Sequence, residues 1–154
     1  MRAIGATFVI ILSIDPGTTS SGVVRYDTIA RRVLFAASKM DNHDLLKIVQ
    51  DDNGPCLAVE VMENQGRAQV GSSTFDTMRW VGRFQQAWHS PEQVRLVTRR
   101  REKRALGLKA GANDSDVRRA LIDQIGKVGT KAEPGPCYGV AGHAWSALAV
   151  AVAC

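Results

Sequence analysis

Apolar residues near the start of the chain fall into three short blocks separated by turn-forming residues. Residues 8–14 are apolar apart from Ser13, and largely apolar blocks follow at residues 22–26 and 32–37. Such blocks, bounded by Pro, Gly, Ser and Asp, are typical of strands joined by tight turns. The pattern predicts an antiparallel meander of three strands, with residues 27–30 as its second turn.

Helices and strands alternate over the rest of the chain. Residues 72–88 carry apolar side chains at spacings of three and four, typical of a helix with one apolar face. Residues 142–153 predict a helix that is apolar on nearly every side, so we expect it to be sandwiched against the sheet. Residues 99–111 are predicted to be a basic loop or helical turn, and residues 126–139 a mobile surface loop. The other predicted elements are a helix over 41–49, strands over 56–62 and 94–98, and a helix that begins at Asn113 or Asp114 and contains Val117, Leu121 and Ile125.

The order of elements, β-β-β-α-β-α-β-α, indicates the fold class. Crossovers after the meander make the later strands parallel, which predicts an α/β fold with a five-stranded mixed β-sheet flanked by α-helices. We expect a single domain over residues 1–154.

Composition is that of an ordinary globular protein. The chain has 154 residues, of which 45% are apolar and 23% charged, so a disordered class does not fit. The longest apolar stretches, near residues 6–12 and 147–154, are far shorter than the roughly 20 residues that span a bilayer. We therefore expect a soluble protein with no membrane partner and no signal peptide.

Three cysteines, Cys56, Cys137 and Cys154, predict reduced thiols in the cytoplasm.

Positive charge is concentrated in one segment. The net charge is +5, and between Arg95 and Lys109 seven basic residues stand against one acid, Glu102. This density favours an anionic partner, with a solvated basic surface as the alternative.

Two carboxylates occur within predicted strands. Asp15 ends the first strand directly before Pro16 and Gly17, and Glu60 lies in the fourth strand. If these strands are neighbours, the two side chains could lie across from each other. A metal ion is one of the few partners that makes such a pair tolerable. The alternatives are that Asp15 only caps a turn and that Glu60 faces solvent at a strand edge.

The last helix adds a third group. His143 and Ser146 are three residues apart near its N-terminus and therefore share a helix face. His143 is the ionisable group of an otherwise apolar helix, so it is either a cap or a metal ligand.

Together these segments resemble the four motifs of RuvC-type Holliday junction resolvases. The resemblance is carried by Ile-Asp-Pro-Gly-Thr-Thr-Ser-Ser-Gly at residues 14–22, Ala-Val-Glu at 58–60, the basic segment around Lys103, and His-Ala-Trp-Ser-Ala-Leu-Ala-Val-Ala at 143–151. Residues 77–84 and 136–140 also resemble segments of the RuvC-like proteins of bacteriophages and prophages. The resemblance covers about residues 9–152.

The resemblance implies an RNase H-like fold and a homodimer that cuts four-way DNA junctions at two symmetric phosphodiesters. It also implies two divalent ions per site, Mg²⁺ with Mn²⁺ as an alternative, for hydrolysis by water. By that match Asp15 is the ligand shared by both ions, Glu60 the second ligand and His143 the first ligand of the helical motif. Lys103 matches a basic catalytic residue that steadies the charge of the scissile phosphate.

Ser146 departs from the family, which usually has an aspartate at this metal-ligand position. Serine is a weak, neutral ligand for a hard cation. Ser146 could bind a cation through a water molecule, or Asp114 or Asp116 could approach from the loop and replace the missing ligand. Otherwise nuclease activity is reduced or lost, either naturally or because the sequence was engineered. A non-catalytic protein that binds branched DNA is therefore an open alternative.

Two surfaces are expected to bind partners. Helix 72–88 forms the dimer interface in the family, although its apolar face could equally be core, and a two-fold dimer matches the symmetry of a junction. The residues that we expect to contact DNA are Arg79, Arg83, Arg99, Arg100, Arg101, Lys103, Arg104 and Lys109.

A sugar-kinase or actin-like ATPase is a weaker alternative. The turn from Asp15 to Ser21 also resembles the phosphate loop of those proteins. They need two such domains around a nucleotide cleft, however, and 154 residues supply one at most.

Overall fold

A five-stranded mixed sheet forms the centre of the computed structural model, which describes residues 9–63 and 70–154. The first three strands pair in an antiparallel meander, and the last two add in parallel beside the first strand, giving the order β3-β2-β1-β4-β5. The strands are β1 (Ile10–Asp15), β2 (Ser20–Asp27), β3 (Arg32–Asp41), β4 (Cys56–Val61) and β5 (Arg95–Thr98). The predicted five-stranded mixed sheet is confirmed; the predicted strand start at residue 8 lies outside the described residues.

Helices cover both faces of this sheet. They are α1 (Asn42–Asp51), α2 (Ser72–Ala87), α3 (Arg99–Ala105), α4 (Asp114–Ile125) and α5 (Ala144–Val152), with a 3₁₀ turn at Pro91–Gln93. One face carries α5 and α4, where Leu121 and Leu148 are fully buried. The other carries α1 and α2, where Leu45 and Phe84 are fully buried. The prediction that the last helix is sandwiched against the sheet is confirmed.

The basic segment after β5 is more ordered than its sequence predicts. It forms α3, because the Thr98 side chain accepts a hydrogen bond from the Arg101 N–H and caps the helix N-terminus. Leu106 is buried directly after the helix. The chain then continues as a loop to the Asn113 cap of α4.

The segment predicted to be a mobile surface loop is tied to the start of β3. The Val33 N–H donates to the Pro136 carbonyl oxygen at 2.8 Å. Cys137 within this segment is fully buried. These contacts anchor the segment to the sheet.

The three cysteines are free thiols, as predicted. Although far apart in sequence, Cys56 and Cys154 place their sulfur atoms 3.9 Å apart beside the C-terminal end of α5. Within the described residues, no helix has the length and apolar character that crossing a membrane requires.

Candidate active site

Asp15 and Glu60 come together at one end of the two central strands. β1 and β4 are parallel, with Ile14 opposite Val59, so the next residue of each strand is a carboxylate. Because side chains alternate along a strand, both carboxylates project to the face opposite that of Ile14 and Val59, which is the face covered by α5. They lie close enough for a hydrogen bond between the two side chains.

The turn that follows Asp15 is fixed by a buried polar network. Asn42, the first residue of α1, accepts a hydrogen bond from the Ser21 hydroxyl at 2.6 Å and donates to the Gly17 carbonyl at 2.9 Å. The Gly17 N–H donates to the Ser21 hydroxyl in turn. Asn42 and Ser21 are both buried, so satisfying all these groups locks the turn.

His143 reaches the same place from the start of α5. Its Nδ1 lies 3.6 Å from Asp15 Oδ2, while 62% of its side chain is exposed. The helix start packs tightly on β2, because a Cβ built at Gly22 would lie only 2.5 Å from the His143 carbonyl oxygen. Glycine at position 22 therefore lets the backbone of His143 approach the sheet.

Glu102 is a third carboxylate of this cluster, and it was not among the residues predicted from the sequence. It lies on α3 and is fully buried, with Oε2 3.3 Å from Arg99 Nη1. It also interacts electrostatically with Glu60 and Asp15. A signal was present, because Glu102 and Leu106 are four residues apart and would share the inward face of a helix.

Burial raises the pKa of all three carboxyl groups, and repulsion within the cluster adds to this effect for Glu60 and Glu102. The pKa of Glu60 rises to about 9, chiefly through burial and then through the charges of Glu102 and Asp15. Burial also raises the pKa of Glu102 to about 7, opposed by the Arg99 guanidinium. The pKa of Asp15 is raised by burial, opposed by a hydrogen bond with Glu60 and by His143. A cluster with these properties favours a cationic ligand.

Arg99 connects this cluster to α5 and α4. Its guanidinium contacts Glu102, lies 3.5 Å from the Ser146 hydroxyl, and pairs with Asp114. Ser146 thus faces an arginine. Asp114 is already paired with Arg99, and Asp116 accepts a hydrogen bond from the Asn113 N–H in the capping box of α4.

The carboxyl cluster fits a hard divalent cation in its chemistry. Glu60 Oε2 and Glu102 Oε1 are buried and have no hydrogen-bond partner among the described residues. Carboxylate oxygens are the ligands that Mg²⁺ and Mn²⁺ prefer. Over residues 9–63 and 70–154, however, no three His, Cys, Asp or Glu side chains stand in a geometry that could hold a metal ion. Shared coordination would require side-chain rotation.

The predicted basic residues lie on α2, on α3 and in the loop after α3. Lys103 donates to the Ala110 carbonyl at 2.8 Å, which holds the loop after α3. Arg100 lies 3.8 Å from Glu63, and Arg101 donates to the Ala153 carbonyl. On α2, Arg79 pairs with Asp76 and Arg83 stacks over the Trp80 ring. Arg104 and Lys109 are exposed.

Arg99 differs from the other basic residues predicted to bind DNA. Its side chain is only 29% exposed and points into the carboxyl cluster. A cavity of about 330 Å³ opens beside it, lined also by Asp114, Arg118, His143 and Ser146. The described lining of this cavity contains none of the three cluster carboxylates, so the cavity adjoins the cluster through Arg99 and His143.

The solved structures that resemble this chain in fold include two of Thermus thermophilus RuvC. Thermus thermophilus RuvC in complex with a Holliday junction substrate superposes with a TM-score of 0.68 at 17% sequence identity, covering 94% of this chain and 92% of that chain. The Thermus thermophilus RuvC structure gives a TM-score of 0.62 at 19% identity with the same coverage. Neither a protein-family model nor a curated protein matches the sequence. At this identity the likeness establishes the fold, which is RNase H-like.

Proposed function

We propose that the protein is a structure-selective endonuclease that resolves four-way DNA junctions by metal-dependent phosphodiester hydrolysis. The observation that carries the proposal is the cluster of buried carboxyl groups at the ends of β1 and β4, beside a basic helix. Buried acids whose pKa values are raised by one another are typical of functional sites. The RNase H-like fold supports this proposal, because Thermus thermophilus RuvC was solved in complex with a Holliday junction substrate.

In this proposal Asp15, Glu60 and His143 hold two divalent ions, Mg²⁺ or Mn²⁺. Such ions activate a water nucleophile and stabilise the leaving oxygen when they are bound. The rigid strands fix Asp15 and Glu60, and the tight packing of α5 on Gly22 keeps His143 beside Asp15. Side chains fixed in this way would hold a scissile phosphate in the position that the reaction requires.

The basic residues would neutralise the DNA backbone on either side of the site. Arg100, Arg101, Arg104 and Lys109 extend from α3 into the following loop, and each phosphate contact would add salt-dependent affinity. Lys103 would stabilise charge on the scissile phosphate after releasing the Ala110 carbonyl.

A homodimer is part of this proposal. Phe75 is 58% exposed and Met78 40% exposed on α2, whereas Val81 and Phe84 of the same helix are buried in the core. The helix thus has separate inward and outward apolar surfaces. Two copies joined through the outward surface would present two sites to a two-fold symmetric junction.

The segments at 77–84 and 136–140 support a position in the phage-type branch of RuvC-like proteins. In that setting the protein would act in the host cytoplasm, where the DNA substrate is located. This placement rests on the sequence resemblance.

One observation favours a second candidate function, binding of branched DNA without cleavage. Ser146 lies against Arg99 and brings no charge to the site. A site short of one acidic ligand could bind a junction through its basic residues and fail to cut it.

Incubating the protein with a labelled mobile four-way junction, a flap and a plain duplex, each in Mg²⁺ and then in Mn²⁺, separates these functions. We expect paired, symmetric nicks in the junction and none in the duplex. Junction binding with no cleavage in either metal would establish the second candidate. Equal cleavage of all three DNAs would contradict junction selectivity.

A further inference from the structure

Burying the side chain of Glu102 within the basic segment costs folding free energy. This side chain is fully buried, and one of its oxygens has no hydrogen-bond partner within the described part of the chain. An unsatisfied buried polar atom costs about 1–3 kcal/mol, and more if the group is charged. An apolar residue at this position would let α3 pack against the sheet without that penalty, so packing does not explain a carboxylate here.

The unsatisfied oxygen of Glu102 has a counterpart on Glu60. Glu60 Oε2 is also buried without a partner within the described ranges. The two side chains are close enough for a hydrogen bond, and Glu60 is similarly linked to Asp15. Three carboxyl groups from β1, β4 and α3 therefore form one cluster, in which two oxygens remain available to a ligand.

Arg99 orients Glu102 within this cluster. Its guanidinium contacts Oε2 of Glu102 at 3.3 Å and leaves Oε1 free. The same guanidinium lies 3.5 Å from the Ser146 hydroxyl. Arg99 thus occupies the space beside Ser146 on α5, and there it pairs with Glu102 of α3 as well as with Asp114 of α4.

We infer that Glu102 supplies from α3 the acidic metal ligand that α5 lacks at Ser146, so that Asp15, Glu60 and Glu102 together bind a divalent cation. This inference rests on the proposed function, since it names a ligand of the same site. Arg99 acts as a positioning residue, because it holds one carboxylate oxygen of Glu102 and leaves the other free for a ligand. Rotation about the side-chain bonds of the two glutamates would bring the free oxygens onto the cation.

Mn²⁺ binding without DNA tests the inference directly. The probe is Mn²⁺ alone, and the readout is the loss of the free-ion signal in electron paramagnetic resonance on titration with protein. We expect Glu102→Gln to weaken Mn²⁺ binding by at least about tenfold, since even outer-shell changes reach that size. The matched control is Glu133→Gln, the same substitution at an exposed position, which should bind Mn²⁺ as the wild type does.

A double variant separates a ligand role from a structural one. Ser146→Asp combined with Glu102→Gln returns one carboxylate to the site from α5, so Mn²⁺ binding should recover toward the wild-type value. A purely structural role of Glu102 would leave the double variant as weak as the single variant. That result would overturn the inference, as would Mn²⁺ binding by Glu102→Gln at wild-type strength or no Mn²⁺ binding by the wild type.

Junction cleavage, measured separately, keeps the two proposals apart. A wild-type protein that binds Mn²⁺ through Glu102 but cuts no junction would overturn the proposed function and leave the ligand assignment in place. If the wild type cuts junctions in Mn²⁺ and Glu102→Gln binds Mn²⁺ as strongly as the wild type, the ligand assignment is overturned and the proposed function is retained.

Discussion

At the residue scale, three acidic side chains come together at the carboxyl ends of β1 and β4. Asp15, Glu60 and Glu102 lie near the positive charge of Arg99, and burial raises the pKa of each, which disfavours their charged forms. A protein selected for stability alone would place apolar residues there, because buried charge is expensive. The arrangement is therefore best understood as a site whose stability depends on its ligand.

The pKa of Glu60 predicts how stability without metal depends on pH. Its folded-state pKa is about 9, against an ordinary value of 4.5. Its neutral form therefore contributes stability that is complete below pH 4.5 and is lost as pH rises to about 9. In EDTA, the free energy of unfolding of the wild type should fall over this range relative to that of Glu60→Gln, as measured by urea denaturation at pH 5, 7 and 9.

The difference in the free energy of unfolding between the wild type and Glu60→Gln removes the contribution of the other titrating groups. Glu133→Gln, at an exposed position, serves as the control and should follow the wild type at each pH. If Glu60→Gln has the same pH dependence as the wild type, the assigned burial of Glu60 is wrong.

At the element scale, the approach of α5 to β2 determines where His143 lies. Gly22→Ala would force a Cβ to within 2.5 Å of the His143 carbonyl oxygen, a clash with backbone that flexible side chains cannot relieve. We expect a loss of about 1–3 kcal/mol in the free energy of unfolding, measured by urea denaturation. We also expect weaker junction cleavage, because His143 is displaced from Asp15.

Gly82→Ala is the matched control for that change. A Cβ at Gly82, in the middle of α2, meets nothing within 4 Å. Because alanine favours helix over glycine, this variant should be more stable by up to about 1 kcal/mol. Equal effects of the two substitutions would contradict the close packing of α5 on β2.

The proposed function predicts that the basic helix α3 contacts DNA. Arg100 and Arg104 are four residues apart and exposed, so they share one face of the helix. Replacing both with alanine should weaken binding to junction and duplex alike. It should also lower the slope of log K against log salt by about 0.9 for each phosphate that the variant no longer neutralises. Fluorescence anisotropy at several salt concentrations measures both effects.

Lys131→Ala, on the exposed segment between α4 and α5, is the control for this experiment and should leave the salt slope unchanged. An unchanged slope in the double arginine variant as well would place the DNA elsewhere on the protein.

Local pattern was enough to predict most of the strands and helices and to select Asp15, Glu60 and His143 as candidate site residues. The turn at Asp15, the strand around Glu60 and the apolar helix after His143 are each specified by neighbouring residues, and the sheet brings them together. Glu102 and the inward direction of Arg99 were not predicted, because a basic segment resembles a solvated surface until its helical spacing is known. Their positions depend on tertiary packing against α5.

At the scale of the whole molecule, the proposed dimer depends on the outward surface of α2. Phe75→Glu places a charge in the outward apolar surface of this helix while leaving the buried residues intact. We expect a monomer by analytical ultracentrifugation and a loss of paired junction nicks, because one molecule would then present one site.

Leu34→Glu is the matched control, since Leu34 is 50% exposed on β3. This variant should keep the association state of the wild type. A dimer that survives Phe75→Glu would remove α2 from the interface.

The proposed function depends most directly on the carboxylate of Asp15. Asp15→Asn preserves the shape of the side chain and removes the charge that the cation requires, while the basic residues proposed to bind DNA remain unchanged. The measurement is cleavage and binding of one labelled four-way junction by the wild type and by this variant in Mg²⁺ and Mn²⁺. We predict that Asp15→Asn binds the junction as tightly as the wild type and does not cut it; cleavage at the wild-type rate by Asp15→Asn would contradict the proposal.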